Sequence, residues 1–574
     1  MGQADIEWLA SDCDETAASR LADDAGLSPI VARLLVNRCV LTAEQAGRFL
    51  NPSLDHLHDP SLLPDLDAGV DRIASAMKSG EKICVHGDYD VDGVTSTALL
   101  VRTLAALKAN VEYRLPHRQK EGYDIKPAAV EEAARAGASV ILTCDCGIGA
   151  HETVSRAAEL GIDVIITDHH EPQHDLPPAA AVINPKRADA AYPFPDLAGV
   201  GVAFKFAQGL VRKLGYDEEA FQARFVDLVA LGTVGDVVPL LGENRALVKF
   251  GLQAIPKSKK LGFQTLLRSA RLTGKPVTSY CLGFILGPRV NAVGRMADAS
   301  AALRLFLTRD EEEARELASQ MEQCNIERRA QQEKILAEAV EQVESKDLTQ
   351  FRVLVLSGEG WNAGVVGIVA GRIRELYNRP ALLISRDEAA GIGVGSARSI
   401  EAFNILDGLR HCENLLSRFG GHALAAGLCI PLTNLGHFEE QLNALAVEQL
   451  PEEELVPRIV FDAELEAGDI TRELAQTLAS MEPFGMGNPE PLFLTRDLAV
   501  LERRRVGDGS HLRMRLQGDG TAPVSCIAFG MGDSADALEL GGTMDLCYSI
   551  RLNTFNGVES VQLVGKAIRP HTSA

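Results

Sequence analysis

No Cys-x-x-Cys pair occurs among the 11 cysteines scattered through the 574 residues. That spacing argues against a thiolate zinc module or a disulfide framework, and a reducing cytoplasm is the expected compartment. Cys144-Asp-Cys146 reads as two small strand residues flanking Asp145. No uncharged apolar run reaches the roughly 18 residues needed to span a bilayer. The start of the chain, with Asp5 and Glu7, has no apolar stretch of the signal-peptide kind. Nothing is collagen-like or of low complexity. Basic residues are in deficit: 57 Lys and Arg against 79 Asp and Glu give a formal net charge of −22. Such a body is a poor general coat for nucleic acid, because phosphate contacts need Lys and Arg. A local basic channel remains compatible with it.

The composition is otherwise ordinary for a globular chain, and the length suggests about four domains at roughly 150 residues each. The stretch richest in chemistry is Val85-His-Gly-Asp-Tyr-Asp-Val-Asp-Gly93. Lys82 to His86 reads as a buried strand, and Thr95 to Lys108 as a helix with an apolar stripe. Asp88, Asp90 and Asp92 repel one another unless a cation neutralises them. The plainer alternative is a solvated turn capping the helix. Strands and helices alternate through residues 70 to 200, which predicts a parallel sheet. Ser139 to Asp145 and Asp163 to Asp168 are predicted strands, each ending in an acid, and His169-His170 follows the second. A further acid, Asp236, closes Ala230-Leu-Gly-Thr-Val-Gly-Asp236. Four turns would thus bring Asp and His to one sheet edge, where open α/β sheets bind their ligands. Mixed carboxylate and imidazole ligands suit Mn²⁺ or Mg²⁺, and so many carboxylates suit two ions.

Asp168-His-His170, together with His86-Gly-Asp-Tyr-Asp-Val-Asp-Gly93, Asp145 and Asp236, resembles the DHH phosphoesterase superfamily. Similarity to its bacterial branch of single-strand-specific 5′ to 3′ exonucleases extends through Gly287-Pro-Arg-Val-Asn-Ala-Val-Gly-Arg295, Asn325-Ile-Glu-Arg-Arg329, Gly360-Trp-Asn-Ala-Gly-Val-Val-Gly367, Gly395-Ser-Ala-Arg-Ser-Ile400, Phe419-Gly-Gly-His422 and Pro483-Phe-Gly-Met-Gly-Asn-Pro489. The resemblance implies one ion on His86, Asp90 and Asp145, and another on Asp92, Asp145, His169 and Asp236, with Asp145 bridging. Asp88 and His170 would lie beside them, His170 facing the scissile phosphate. It further implies single-stranded DNA as substrate in repair and recombination. Single-strand-binding protein and a repair helicase would be its protein partners, with a monomeric chain and no membrane.

The resemblance also implies two α/β domains, of DHH and DHHA1 type, joined by a long helix, with an OB-type β-barrel at the C-terminal end. The expected division is an N-terminal helical appendage (1–69) packed on the first large domain, a DHH catalytic domain (70–307), the connecting helix (308–348), a DHHA1-type substrate-binding domain (349–450) and the OB domain (459–574). Residues 257 to 275 carry six cations and no acid, and read equally as a solvated face or a wall of the DNA path. Arg289 lies in a Gly-rich, weakly periodic stretch where the family contacts phosphate. Thr308-Arg-Asp-Glu311 reads as a capping box opening the long helix. Gly391 to Gly395 and Gly420-Gly421 are expected to form anion-binding loops. The family places Ser396, Arg398 and His422 of this region, with Arg118, at the substrate, and assigns the 5′-phosphate there. Three departures from the family pattern, Asn362, Ala397 and Asp124, touch fine positioning. In the last domain His511, Arg513 and Arg515 alternate with apolar residues, so one basic face would line a single-strand groove. Two rivals stand beside the exonuclease: a DHH phosphodiesterase for short oligonucleotides or cyclic dinucleotides, and a catalytically dead DNA-binding scaffold. The C-terminal barrel speaks against the first, and the full ligand set against the second.

Overall fold

The computed structural model describes residues 6–118, 120–172, 175–555 and 558–570. Asp5 and Gln119, the latter in the polar loop before Tyr123, lie outside them. The chain forms two compact units. The larger comprises Trp8–Gly294, Asp298–Met321 and the chain from Val460, and the smaller comprises chiefly Arg295–Ala297 and Glu322–Ile459.

The larger unit is built on a five-stranded, wholly parallel sheet. Its strand order is Asn110–Arg114, Lys82–His86, Ala138–Cys144, Asp163–Thr167 and Ala181–Ile183. Val85, Leu142 and Ile165 are fully buried, as expected for strands covered on both faces. The register sets His86 opposite Thr143, and Cys144 opposite Thr167. Asp145 and Asp168, each one residue past its strand, therefore end neighbouring strands at the same level. The helix after the acidic turn spans Val91–Ala106. It starts four residues before the predicted Thr95, because Asp90 is its N-cap and accepts from the amides of Asp92 (2.9 Å) and Gly93 (3.1 Å). Asp236 follows the helix Glu218–Gly235 as its C-cap. Arg289 and Arg295 lie within the helix Gly287–Met296, where an irregular segment was expected.

The C-terminal strands Phe493–Val506, His511–Gln517, Val524–Ala528, Val558–Pro570 and Thr543–Phe555 pair in that order. The first also pairs with the last, which closes a barrel. The N-terminal helices Glu15–Ala25, Pro29–Val36 and Ala43–Leu50 share one apolar core with this barrel, where Leu21, Leu34 and Leu35 join Phe493 and Tyr548. The expected packing on the first large domain holds for the end of the segment, where Arg245 donates to Phe49 O (2.7 Å) and Lys205 to His58 O (2.7 Å), whereas the helices' apolar core is shared with the barrel. Their apolar faces need a covering layer, and the barrel supplies it.

The long helix spans Glu311–Glu344, about 50 Å at 1.5 Å per residue. Its first turn is capped by Asp310, which accepts from the amides of Glu312 and Glu313, and not by Thr308. In the smaller unit the sheet order is Arg418–His422, Ala425–Pro431, Ile392–Arg398, Ala381–Asp387 and Leu354–Glu359. Only the last pair is parallel. Of the glycine runs expected as loops, Gly391 lies in a turn, whereas Gly393, Gly395, Gly420 and Gly421 lie in strands. Gly395 pairs with Leu428 on one side and Ile384 on the other. Pairing on both sides holds the run extended despite glycine's poor strand propensity.

Candidate metal centre and substrate-binding surfaces

Two helix starts and three strand ends converge on the carboxyl edge of the parallel sheet. Asp92 is fully buried in the first turn of Val91–Ala106. Its Oδ2 accepts from the Gly199 amide (2.7 Å) and its Oδ1 from the Val200 amide (2.8 Å). Those amides open the helix Gly199–Lys213, which has no side-chain cap of its own. Asp92 thus takes two of its free donors and sits at its positive end. Glycine is required at 199, because a Cβ there would meet Asp145 Oδ1 at 2.6 Å.

Several of the other ligand candidates have atoms without partners among the described residues. His86 Nε2, Asp88 Oδ1, Asp145 Oδ1 and His169 Nε2 are buried and make no hydrogen bond. His169 Nε2 lies 3.2 Å from Asp145 Oδ1, 3.5 Å from Asp236 Oδ2 and 4.0 Å from Asp92 Oδ2. Within 4.8 Å of one another lie ligand atoms of Asp92, His169 and Asp236, of Asp145, His169 and His170, and of Asp88, Asp90 and Asp145. Asp145 recurs in the last two groups. His86 stands outside all three, whereas Asp88, expected beside the ions, falls within one. Asp145 also has a left-handed backbone, φ +63°, a conformation that Asp tolerates better than most residues.

Without a cation this cluster is electrostatically unfavourable. Burial, then Asp92, pushes the Asp145 carboxyl well up. Burial and Asp90 push Asp88 up, and burial and Asp92 do the same to Asp236. Burial and Asp90 bring Asp92 up to about 7, while burial takes His86 and His169 down to about 3. Carboxylates that resist ionisation beside imidazoles that resist protonation make a donor set completed by a divalent cation. The residues therefore fit the expected metal centre.

Asp168 differs from Asp145 although both follow buried strands. Its Oδ1 accepts from the His169 amide (2.8 Å) and from His170 Nδ1 (2.7 Å), and its Oδ2 from the Ile148 amide (3.0 Å). Burial would raise this carboxyl, but the His170 hydrogen bond holds it at about 2. Burial would lower His170, but Asp168 holds it at about 9. Tyr123 Oη lies 3.0 Å from His170 Nδ1. Sequence reasoning assigned no role to Asp168 or Tyr123, nor to the start of the 199–213 helix. The one signal for the last was a glycine-rich helix start without Ser, Thr or Asp to cap it.

The predicted substrate residues are dispersed. Arg118 stacks over the Tyr89 ring at 4.8 Å, beside the acidic turn. Arg289 is buried and donates to Ile285 O (2.7 Å). In the smaller unit Arg398 donates to Ser396 Oγ (3.1 Å), and both border the start of the helix Val366–Tyr377. A Cβ on Gly367 would meet Ser396 Oγ at 2.8 Å. Ala425 pairs with Arg398 on one side and His422 on the other, so Arg398 and His422 project from one sheet face about 10 Å apart. In the barrel, Arg513 and Arg515 are exposed on the strand His511–Gln517. The face is not wholly basic, since Glu502 faces Arg515 at 3.4 Å. Arg504, Arg513 and Arg515 border a cavity of about 660 Å³.

A parallel sheet that gathers carboxylates and imidazoles at its carboxyl edge, followed by a second α/β unit, defines a DHH-type phosphoesterase with a metal centre. Residues 82–233 match the DHH family, N-terminal domain, residues 350–448 the DHHA1 domain and residues 461–567 the RecJ OB domain. The chain is 37% identical over 562 residues to the single-stranded-DNA-specific exonuclease RecJ of Bacillus subtilis, covering 98% of this chain and 70% of that protein. It superposes on RecJ of Thermus thermophilus in complex with Mn²⁺ with a TM-score of 0.84 at 32% identity, covering 100% of this chain and 81% of that one. The complex with Mg²⁺ gives 0.78 at 30% identity, covering 100% and 80%. The chain belongs to the RecJ family of single-stranded-DNA-specific exonucleases.

Proposed function

We propose that this chain degrades single-stranded DNA from the 5′ end to 5′-mononucleotides, with two divalent ions, Mn²⁺ or Mg²⁺, in the acid–imidazole cluster. The observation that carries the reading is the set of buried ligand atoms without partners at one sheet edge. Asp92, Asp145, His169 and Asp236 would hold one ion. Asp90, Asp145 and His86 would hold the other, with Asp88 beside them. Bound there, the cations supply Lewis-acid polarisation of the phosphodiester and activation of water. Asp145, shared between the two groups of ligands, fixes both positions. Asp168 keeps His170 oriented through Nδ1, which leaves Nε2 as a donor to a phosphate oxygen of the scissile bond.

Arg118 is assigned to substrate phosphate beside the acidic turn. Ser396, Arg398 and His422 are assigned to the terminal 5′-phosphate on the sheet face of the smaller unit, Arg289 to the strand near the catalytic unit, and Arg513 and Arg515 to the strand beyond it. The five-part division into 1–69, 70–307, 308–348, 349–450 and 459–574 rests on the same assignment. Among the described residues no helix is long and apolar enough to cross a membrane. The 11 free thiols support a reducing, cytoplasmic setting. Family membership is the ground for single-strand-binding protein and a repair helicase as partners, and for a monomer. The barrel with its basic strand favours long strands over the short oligonucleotides and cyclic dinucleotides of the rival reading.

The test is digestion of 5′-phosphorylated single strands and matched blunt duplexes with Mg²⁺, with Mn²⁺ and with chelator. Mononucleotides released from the 5′ end of single strands alone, and only with added metal, are expected. Endonucleolytic cuts, or activity confined to dinucleotides, would overturn the reading.

A further inference from the structure

The Val91–Ala106 helix carries Asp92 in its first turn and Arg102 near its other end. Ten residues separate them, about 15 Å along the axis. Arg102 borders a cavity of about 480 Å³ whose wall also includes Arg224, Lys257, Lys259 and Lys260. Five cations therefore surround one carboxylate, Asp227. Asp227 is fully committed: Lys260 Nζ reaches both its oxygens at 2.7 and 2.8 Å, and the Ser258 hydroxyl donates to Oδ2 at 2.7 Å. The buried Lys260–Asp227 pair forms a neutral floor. Arg102 spends one nitrogen on Phe306 O (2.7 Å), while its Nε is buried with no partner among the described residues. Arg224, Lys257 and Lys259 are exposed, and none of these four cations makes an ion pair among the described residues. Burial and the neighbouring Arg224 and Arg309 pull the Arg102 guanidinium down, so the site stores like-charge repulsion that an anion would relieve. In a chain of net charge −22, four unpaired cations round one cavity do not follow from composition.

We propose that this basic cavity is a phosphate site separate from the metal centre, built for a ligand with two or more adjacent phosphates. The ligand is either a free polyphosphate, such as the tail of a nucleoside triphosphate, or consecutive phosphodiesters of a nucleic-acid strand. Arg102 provides the fixed donor at the cavity wall, and its planar fork matches phosphate oxygens. Arg224, Lys257 and Lys259 provide mobile charge at the rim.

The experiment uses the full chain in chelator, so that metal–phosphate complexes play no part. Inorganic tripolyphosphate is titrated by calorimetry, and binding of a labelled 30-nucleotide single strand is measured across a salt series. Wild type is compared with the triple variant Arg224→Gln, Lys257→Gln, Lys259→Gln, whose positions are exposed; a thermal melt confirms its fold. If free polyphosphate is the ligand, tripolyphosphate binds the variant at least about tenfold more weakly and the salt slope for DNA is unchanged. If a strand is the ligand, the salt slope falls by about 0.7 for each cation lost, about 2 in all. Either result supports the site. A folded variant that matches wild type in both measurements overturns it.

Discussion

The two α/β sheets present polar groups in opposite ways. In the parallel sheet the functional groups follow strand ends or open helices, so residues from several turns meet at one point. His86, Asp145 and His169 are all buried there, with atoms left unpaired. In the largely antiparallel sheet of the smaller unit they sit within strands. Ser396, Arg398 and His422 project from the sheet face, the first two from one strand and His422 from a strand two places away, and His422 is exposed. Convergence with desolvation creates a site that demands a cation. Spreading along a wet face creates a surface suited to an anion with extended geometry. In these two sheets, strand direction sets whether polar residues focus at one edge or spread along a face.

The sharpest way to break that contrast is Asp145→Asn. Removing the carboxylate shared by two ligand groups should cost at least about 10³-fold in turnover at saturating Mn²⁺, since a cation's stabilisation of the transition state is worth several kcal/mol. Steady-state hydrolysis of a short strand measures it, and near-normal turnover would sink the shared-ligand assignment. Asp168→Asn should have a smaller effect, about 10²-fold, because it disturbs only the group that orients His170. Its Mn²⁺ affinity should stay close to wild type. A collapse of metal affinity instead would make Asp168 part of the metal centre.

On the spread surface, Arg398→Ala should weaken use of 5′-phosphorylated strands about tenfold, as a charge-assisted hydrogen bond is worth about 1.5–3 kcal/mol. Strands with a 5′-hydroxyl should lose much less, and equal losses would place Arg398 in packing. The mildest effect belongs to the barrel. Arg513→Ala with Arg515→Ala should reduce the salt slope of long-strand binding by roughly 1–1.4 units. The exposed Arg515–Glu502 pair does not prevent this, since such pairs contribute only about 0–1 kcal/mol. An unchanged slope would mean that this face is merely solvated.

Much of the catalytic sheet was legible because buried parallel strands read as apolar runs ending in acids. Element starts were harder to read. The Val91–Ala106 helix begins at Asp90 because that side chain caps it, yet Asp90 also reads as a turn residue. Gly393, Gly395, Gly420 and Gly421 read as loops, and only pairing with neighbouring strands made them sheet, while Gly391 is in a turn as expected. The all-basic face of His511–Gln517 was correct within its strand, but Glu502 comes from the adjacent one.

Acids and histidines ending three neighbouring strands could be read from the chain alone, because local apolar periodicity and polar punctuation sufficed for that. The sequence could not separate Asp145 from Asp168, each directly after a buried strand and level with the other. Tertiary structure decided between them. Asp168 meets the amides of Ile148 and His169 and the His170 ring, so it is a satisfied anion that orients a hydrogen-bond donor. Asp145, held at φ +63°, faces other carboxylates and keeps an oxygen without a partner. Whether a buried carboxylate orients a neighbour or ligates a cation depends on which donors the rest of the fold brings to it, and those donors come from distant parts of the chain.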